Sequence, residues 1–187
     1  MSKLGGHGMM APASYKIIHC THERHANAIL AILNEAIVSS TALYDYQPRT
    51  LESMDSWFKT KQAGTFPVLG VEDTDGELLG FGTYGAFRAF PAFKFTAEHS
   101  VYVHKAHRGR GLGLALMKAL MRKAKDADLH SLIAVIDSSN LPSIAMHQKL
   151  GFQLAGTLPQ VGFKFARWLD VVLYQMVFET PAHPEEG

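Results

Sequence analysis

Hydrophobic residues recur along this chain with two different periods. Some segments repeat them every three or four positions, as a helix with one buried face does, and the clearest of these is 112–127. Between them lie short β-branched and aromatic runs, typical of strands. Asp75-Gly76 is typical of a hairpin turn, Pro142 of a first helical turn and Gly151 of a helix end. In order, the pattern predicts strand 15–20, a helix through 26–37 with Thr21 as its N-cap, helix 51–61, strands 66–72, 77–87 and 96–103, helix 112–127, strand 131–137, helix 142–150 and strand 171–179.

This order predicts one mixed α/β domain over residues 15–180, because no repeat and no long linker divides it. Residues 1–14 are small and without periodicity, which predicts a flexible N-terminal lead, and 181–187 are predicted to form a flexible tail. The single Cys20 cannot form an internal disulfide, which favours a reducing, cytoplasmic setting. A net charge of +1 and the lack of a long apolar run argue against nucleic-acid and membrane partners.

The richest chemistry lies where strand 96–103 leads into helix 112–127. Its link reads Arg108-Gly-Arg-Gly-Leu-Gly113, in which alternate glycines allow successive N–H groups to point outward as an anion-binding nest. The helix N-terminus and three basic side chains add positive charge, so a pyrophosphate is the expected ligand. A solvated basic loop is the alternative. A dinucleotide fingerprint would need glycine at Leu114, and a Walker loop would need Gly-Lys-Ser/Thr.

Together with Val101-Tyr-Val103, this link resembles the acetyl-CoA signature of the GCN5-related N-acetyltransferases (GNAT). From Tyr15 to about Phe178 the chain is also similar to the phosphinothricin and methionine sulfoximine acetyltransferases. The similar motifs are Ser40-Thr41, Pro48-Arg-Thr50, Trp57-Phe58, Glu98-His-Ser-Val-Tyr102, His147-Gln-Lys-Leu-Gly-Phe152 and Gly162-Phe-Lys-Phe-Ala-Arg-Trp-Leu-Asp170. Phenylalanines at 90, 93 and 163 depart from the tyrosines common in that subgroup.

The resemblance implies an α+β GNAT fold: a mostly antiparallel sheet with helices on both faces, splayed between 96–103 and 131–137 to admit acetyl-CoA. It also implies a homodimer. The coenzyme-binding residues that it implies are Val101, Tyr102, Val103, Arg108, Gly109, Arg110, Gly111, Leu112, Gly113, Leu114, Asn140 and Ser143.

Glu98 is the candidate general base. An α-amino group with a pKa near 8 must lose a proton before it can attack a thioester. Strand alternation places Glu98 on one face with Thr96 and Ser100, and His99 on the other. A carboxylate that reaches solvent or a salt bridge is the alternative.

Helical spacing places Asn140, Ser143 and His147 on one face of the helix 142–150. The resemblance implies that Asn140 contacts the pantetheine or acetyl carbonyl. It also implies that His147 stands where a tyrosine often protonates the leaving thiolate. A capping asparagine and a packed core histidine are the alternatives.

Arg88 is followed by an aromatic loop, and the resemblance makes Arg88, Ala89, Phe90 and Glu98 substrate-binding, with the Arg88 fork on a carboxylate or phosphinate. Near the last strand are Lys164, Arg167, Trp168 and Asp170. A structural role is favoured for them, and support of the pocket or of a subunit interface is the alternative. The spacing in His19-Cys-Thr-His-Glu-Arg-His25 does not suit a metal, and His22 and His25 are expected to be exposed at a helix start.

The resemblance thus implies direct acetyl transfer from acetyl-CoA to the α-amine of a small amino acid such as phosphinothricin, methionine sulfoximine or methionine sulfone, and no metal is expected. The alternatives are the same fold acting on a polyamine or a peptide N-terminus, a non-catalytic acyl-CoA sensor and, more remotely, a nucleotide-binding oxidoreductase.

Overall fold

A computed structural model describes residues 14–186 of the chain, so the lead predicted for 1–14 lies outside it except for Ser14. The described elements alternate between strands and helices along the chain. They are β1 (Tyr15–His19), α1 (His22–Ser39), α2 (Leu51–Ala63), β2 (Val68–Asp73), β3 (Leu78–Ala86), β4 (Thr96–Val103), α3 (Leu112–Asp126), β5 (Ser131–Asp137), α4 (Leu141–Lys149), β6 (Gln153–Lys164) and β7 (Arg167–Val177).

In this part of the chain, the strands form one seven-stranded sheet in the order β1-β2-β3-β4-β5-β7-β6. Neighbouring strands are antiparallel except β4 and β5, which run parallel. Their pairing covers only Thr96–Glu98 against Ser131–Ile133, and the two strands then diverge. The predicted splayed, mostly antiparallel sheet is therefore confirmed, and a gap opens beyond Glu98.

Each face of the sheet carries its own hydrophobic core. On one face, α1 and α2 bury Ile29, Leu33 and Met54 against Phe81 of β3. On the other face, Leu116, Leu120 and other apolar residues of α3 pack against the sheet, with Ile144 and Met146 of α4 at the edge of the same cluster. Strand β4 contributes to both cores, because successive side chains of a strand point to opposite faces: Tyr102 packs on the α1 side, and Val101 and Val103 pack on the α3 side. Helices thus cover both faces, as predicted.

The N-terminus of α1 corrects two expectations from the sequence. Thr21 occupies the N-cap position, but its side chain makes no capping hydrogen bond; instead, its backbone N–H donates to Nδ1 of His25 over 2.9 Å. His25 is buried, not exposed, because its Nε2 donates to the buried carboxylate of Glu72 over 3.2 Å. Lys16 and Arg24 contact the same carboxylate from the surface, so Glu72 holds β2 against α1.

Strand β6 is a further difference, since the hydrophobic pattern does not predict it. It pairs only with β7, at the edge of the sheet.

Among the described residues, no helix is long and apolar enough to cross a membrane. The same residues contain no group of three or more histidine, cysteine, aspartate or glutamate side chains that could hold a metal ion.

Candidate active site

A cavity of about 930 Å³ opens from the gap between β4 and β5. Its walls come from α1, the segment 39–42, the end of β4, the N-termini of α3 and α4, and the β6–β7 turn. Ten of the twelve predicted coenzyme residues line it: Val101, Tyr102, Val103, Arg108, Gly109, Gly111, Gly113, Leu114, Asn140 and Ser143. The structure thus gathers into one cavity residues that the sequence separates by about forty positions.

The link between β4 and α3 has the backbone geometry of a nest. Gly109 and Gly111 both have φ of 77°, the left-handed region that side chains disfavour. Gly111 is the N-cap of α3, and the first intrahelical bond runs from the Ala115 N–H to its carbonyl. The N–H groups of residues 112–114, which come before Ala115 in the first turn of α3, have no partner inside the helix, so they point out of its N-terminus. Backbone donors and the positive end of the helix dipole therefore face the cavity mouth.

The two arginines of the nest have different surroundings. Arg108 donates through Nη2 to Glu35 of α1 over 2.6 Å and through Nε to the Val103 carbonyl over 3.1 Å, which fixes its guanidinium at the cavity rim. Arg110 does not line the cavity and instead contacts Nδ1 of His107 over 2.8 Å. The side chain of Leu112 is buried in the α3 core, so only its backbone is available to a ligand.

Glu98 is the last residue of β4 that pairs with β5, and the gap between the two strands opens after it. Burial raises the pKa of its carboxyl group, and the positive charges of Arg88 and Lys61 oppose that rise. Such a carboxylate is a stronger proton acceptor than a fully exposed one, which suits the predicted general base.

Lys61 is a component of the site that the sequence did not indicate. It extends from α2, where its Nζ donates to the Tyr84 carbonyl of β3 over 2.9 Å and lies 5.5 Å from the centre of the Trp57 ring. Burial lowers the pKa of Lys61 to about 8, while the charge of Glu98 acts in the opposite direction. Two cations therefore influence the candidate base, one from α2 and one from the loop after β3.

That loop carries Arg88, Ala89 and Phe90, all of which are exposed. The Arg88 guanidinium stacks 4.1 Å from the centre of the Phe87 ring and donates to the Phe87 carbonyl over 2.7 Å. Phe90 is 70% exposed. None of these three residues lines the 930 Å³ cavity. Arg88 is nevertheless close enough to Glu98 for its charge to lower the pKa of that carboxyl group, whereas Ala89 and Phe90 lie on the surface.

Asn140 and Ser143 line the cavity at the N-terminus of α4. The Asn140 side-chain oxygen accepts from the Ser143 N–H over 3.3 Å, so Asn140 is the helix cap that the sequence left as an alternative. This bond uses only the oxygen of the amide. Within residues 14–186, the side-chain NH₂ of Asn140 makes no hydrogen bond, so capping leaves it available as a donor to a carbonyl in the cavity.

His147 is buried, and its two ring nitrogens face different neighbours. Nδ1 lies 2.7 Å from the Ser143 carbonyl and must donate to it, which leaves Nε2 as an acceptor 3.3 Å from Nε2 of His99. The two rings stack with centres 5.1 Å apart. Burial lowers the pKa of both imidazoles, that of His99 to about 3. These are the contacts of a packed histidine, and the acid role of His147 stays a prediction.

A smaller cavity of about 80 Å³ lies inside the gap, lined by Thr41, Tyr44, His99, Asp137 and their neighbours. Asp137 is buried at the end of β5, where Oδ1 accepts from the N–H and hydroxyl of Ser139, and Oδ2 lies 3.6 Å from Arg167. Burial alone would raise the pKa of Asp137, but hydrogen bonds from Ser139 and Thr41 hold it below its ordinary value. Asp137 is thus a buried charged group in the gap that the sequence pattern did not indicate.

Comparison with known proteins agrees with this geometry. The model of the acetyltransferase (GNAT) family matches residues 28–152, which include the nest, the gap and α4. The chain belongs to the GNAT family of acetyltransferases. An L-methionine sulfoximine/L-methionine sulfone acetyltransferase of Pseudomonas aeruginosa is 44% identical over 148 residues, which cover 79% of this chain and 86% of the relative.

Two solved structures place the GNAT fold of this chain beside those of other acetyltransferases. One, described as an acetyltransferase of Acinetobacter baylyi, superposes with a TM-score of 0.94 at 50% identity and covers 96% of this chain and 100% of its own. The other is a phosphinothricin acetyltransferase of Sinorhizobium meliloti in complex with acetyl-CoA, with a TM-score of 0.87 at 31% identity, covering 92% and 94%. The predicted family and fold are therefore confirmed.

Proposed function

We propose that this GNAT enzyme transfers the acetyl group of acetyl-CoA to the α-amine of a small amino acid such as methionine sulfoximine, methionine sulfone or phosphinothricin. The observation that carries the proposal is the end of β4–β5 pairing at Glu98, which puts a carboxylate of raised pKa at the head of the gap that leads to the nest. The names of the relatives support this substrate class.

The cavity fits the coenzyme at both of its ends. The nest offers N–H groups and Arg108 to the pyrophosphate. Gly109 and Gly111, whose positive φ favours glycine, add no side chain there. Beyond Glu98, β4 has no pairing with β5, so its backbone from His99 to Val103 can bond the amides of a pantetheine arm, as a further strand would. Acetyl-CoA supplies the activated thioester, and the side-chain NH₂ of Asn140 donates to its carbonyl oxygen.

The residues of the acceptor side bind and deprotonate the amine. Glu98 takes the proton of the ammonium group, and Arg88 holds the carboxylate or phosphinate of the amino acid with its planar fork. Ala89 and Phe90 flank that group. His147 is the acid for the departing thiolate after its Nε2, an acceptor in the neutral ring, has taken up a proton. Because the site holds amine and thioester together, the transfer is direct and requires no covalent enzyme intermediate.

We further propose that residues 15–180 form the catalytic domain and that it acts as a cytoplasmic homodimer. The homodimer is supported by an exposed apolar patch on the β6–β7 hairpin, which we call the hairpin patch: Leu158, Val161, Phe163 and Trp168. Patches of this kind mark interaction surfaces in soluble proteins. The cytoplasmic setting is supported by the single cysteine.

The test is coenzyme-dependent thiol release with a panel of amines. Methionine sulfoximine, methionine sulfone and phosphinothricin are expected to give turnover that Glu98→Gln loses, whereas thermal shift with acetyl-CoA persists in that variant. Turnover confined to polyamines or to a peptide N-terminus would overturn the substrate class. A thermal shift with no turnover on any amine would show an acyl-CoA sensor.

A further inference from the structure

Lys164 is a buried charge in an otherwise exposed strand. It is the last residue of β6 and is only 4% exposed, while most residues of that strand face solvent. Its ammonium donates to three backbone carbonyls, those of Ile37 over 2.7 Å, Ser40 over 2.9 Å and Leu43 over 2.6 Å. These three bonds use all the donors that a lysine possesses.

The three carbonyls belong to the C-terminus of α1 and the segment that follows it. The last turn of α1 is Ala36-Ile-Val-Ser39, so the helix supplies no cation for its own negative dipole end. Lys164 provides that charge from more than 120 positions away along the chain. It therefore caps α1 and at the same time fixes the backbone at Ser40 and Leu43.

The segment so fixed forms a wall of the site. Ser40, Thr41 and Ala42 line the 930 Å³ cavity, and Thr41, Ala42 and Tyr44 line the smaller cavity in the gap. A second contact joins the same two regions, since the Tyr46 hydroxyl donates to the Phe163 carbonyl over 2.8 Å. The position of residues 40–44 thus depends on these contacts with the β6–β7 hairpin.

We propose that Lys164 is a positioning residue for acetyl transfer, whose ammonium holds residues 40–44 as the wall that faces the thioester and the acceptor amine. Two of the three bonds go to Ser40 and Leu43 and tie that wall to the C-terminus of α1, which the third bond caps. A displacement of about 1 Å in such a wall can cost on the order of 100-fold in rate. The kinetic part of this inference rests on the proposed function, whereas the structural part does not.

The experiment compares Lys164→Met with Lys118→Met, which removes an exposed lysine of α3. At a temperature well below both unfolding midpoints, Lys164→Met is expected to lower kcat about 10- to 100-fold. Its amide hydrogen exchange should become faster in residues 40–44 and stay unchanged in α3. Lys164→Arg, which keeps the charge, should recover part of the lost kcat, and Lys118→Met should match the unsubstituted enzyme.

A Lys164→Met enzyme with full kcat and unchanged exchange in 40–44 would overturn the proposal, even if its unfolding midpoint falls, because Lys164 would then serve stability alone. If Lys164→Met does not fold, Lys164→Gln keeps a neutral side chain with two N–H donors, and the same two measurements decide. Should the unsubstituted enzyme acetylate no amino acid, the proposed substrate class fails. Hydrogen exchange in 40–44 and acetyl-CoA affinity by calorimetry still decide the role of Lys164.

Discussion

At the scale of single residues, the proposed role of Glu98 as the general base predicts how the activity responds to pH. A general base is most effective when its pKa lies close to the working pH. Burial raises the pKa of Glu98 above the ordinary value of 4.5, while Arg88 and Lys61 each lower it. The acidic limb of kcat/KM should therefore lie above pH 4.5, at a position that the two cations tune.

Lys61→Met is expected to move this acidic limb to higher pH. The substitution removes a positive charge that stabilises the ionised carboxylate, so the pKa of Glu98 must rise. The measurement is the pH profile of kcat/KM, with Lys59→Met as the control because Lys59 is an exposed lysine of the same helix. A limb that stays in place, or one that remains in Glu98→Gln, would show that Glu98 is not the titrating base.

Arg88→Ala is expected to raise KM for methionine sulfoximine about 10- to 100-fold, since a hydrogen bond to a charged group contributes about 1.5–3 kcal/mol. The decarboxylated analogue should lose much less, because it lacks the group that the fork would hold. Both assays are run at a pH well above the acidic limb, because the loss of Arg88 also raises the pKa of Glu98. Equal losses for both substrates would show that Arg88 is structural and that another residue holds the anionic group of the substrate.

At the scale of elements, the sequence predicts those that bury a regular face and misses those that do not. α3 is predicted because Leu116, Leu120 and their neighbours repeat with the helical period. β6 is missed because an edge strand exposed along most of its length has no alternation to detect. Its pairing with β7 is also irregular on both sides of Leu158.

The same distinction applies to the site. The nest is predictable because its glycines and arginines are adjacent in sequence, and Glu98 is predictable from the alternation of one strand together with the family resemblance. Lys61 is not predictable, and neither are the partners of Lys164, because each lysine reaches across the tertiary structure, from α2 to β3 and from β6 to α1. His25 is predicted wrongly for the same reason, since only the packing of α1 on β2 buries it against Glu72.

The link between β4 and α3 gives a prediction with a closely matched control. Gly111→Asp places a side chain and a negative charge in the nest, so acetyl-CoA affinity measured by calorimetry is expected to fall below detection. Gly76→Asp imposes the same kind of backbone strain, since φ is 84° at Gly76 and 77° at Gly111, but lies in the β2–β3 turn. It should cost about 1–2 kcal/mol of stability and leave coenzyme affinity unchanged. Equal affinities in the two variants would remove the nest from coenzyme binding.

At the scale of the whole molecule, the two roles proposed for the β6–β7 hairpin concern its opposite sides. Its inner side carries Lys164 and Arg167, which reach α1 and Asp137 at the site. Its outer side carries the hairpin patch, in which Phe163 and Trp168 pack edge to face 5.1 Å apart while 46% and 60% exposed. A subunit contact on the outer side would therefore stiffen the element that positions the wall at residues 40–44.

Trp168→Ser is accordingly expected to convert the proposed homodimer into a monomer. A buried tryptophan at the centre of an interface contributes 2 kcal/mol or more of binding free energy, which corresponds to about a 30-fold or larger rise in the dimer dissociation constant. Sedimentation equilibrium over a range of protein concentrations measures that constant directly. Tyr15→Ser is the control, because Tyr15 is an aromatic residue, 42% exposed, near the opposite edge of the sheet on β1. A dimer that survives Trp168→Ser unchanged, or an unsubstituted protein that sediments as a monomer throughout, would show that the hairpin patch is not the subunit interface.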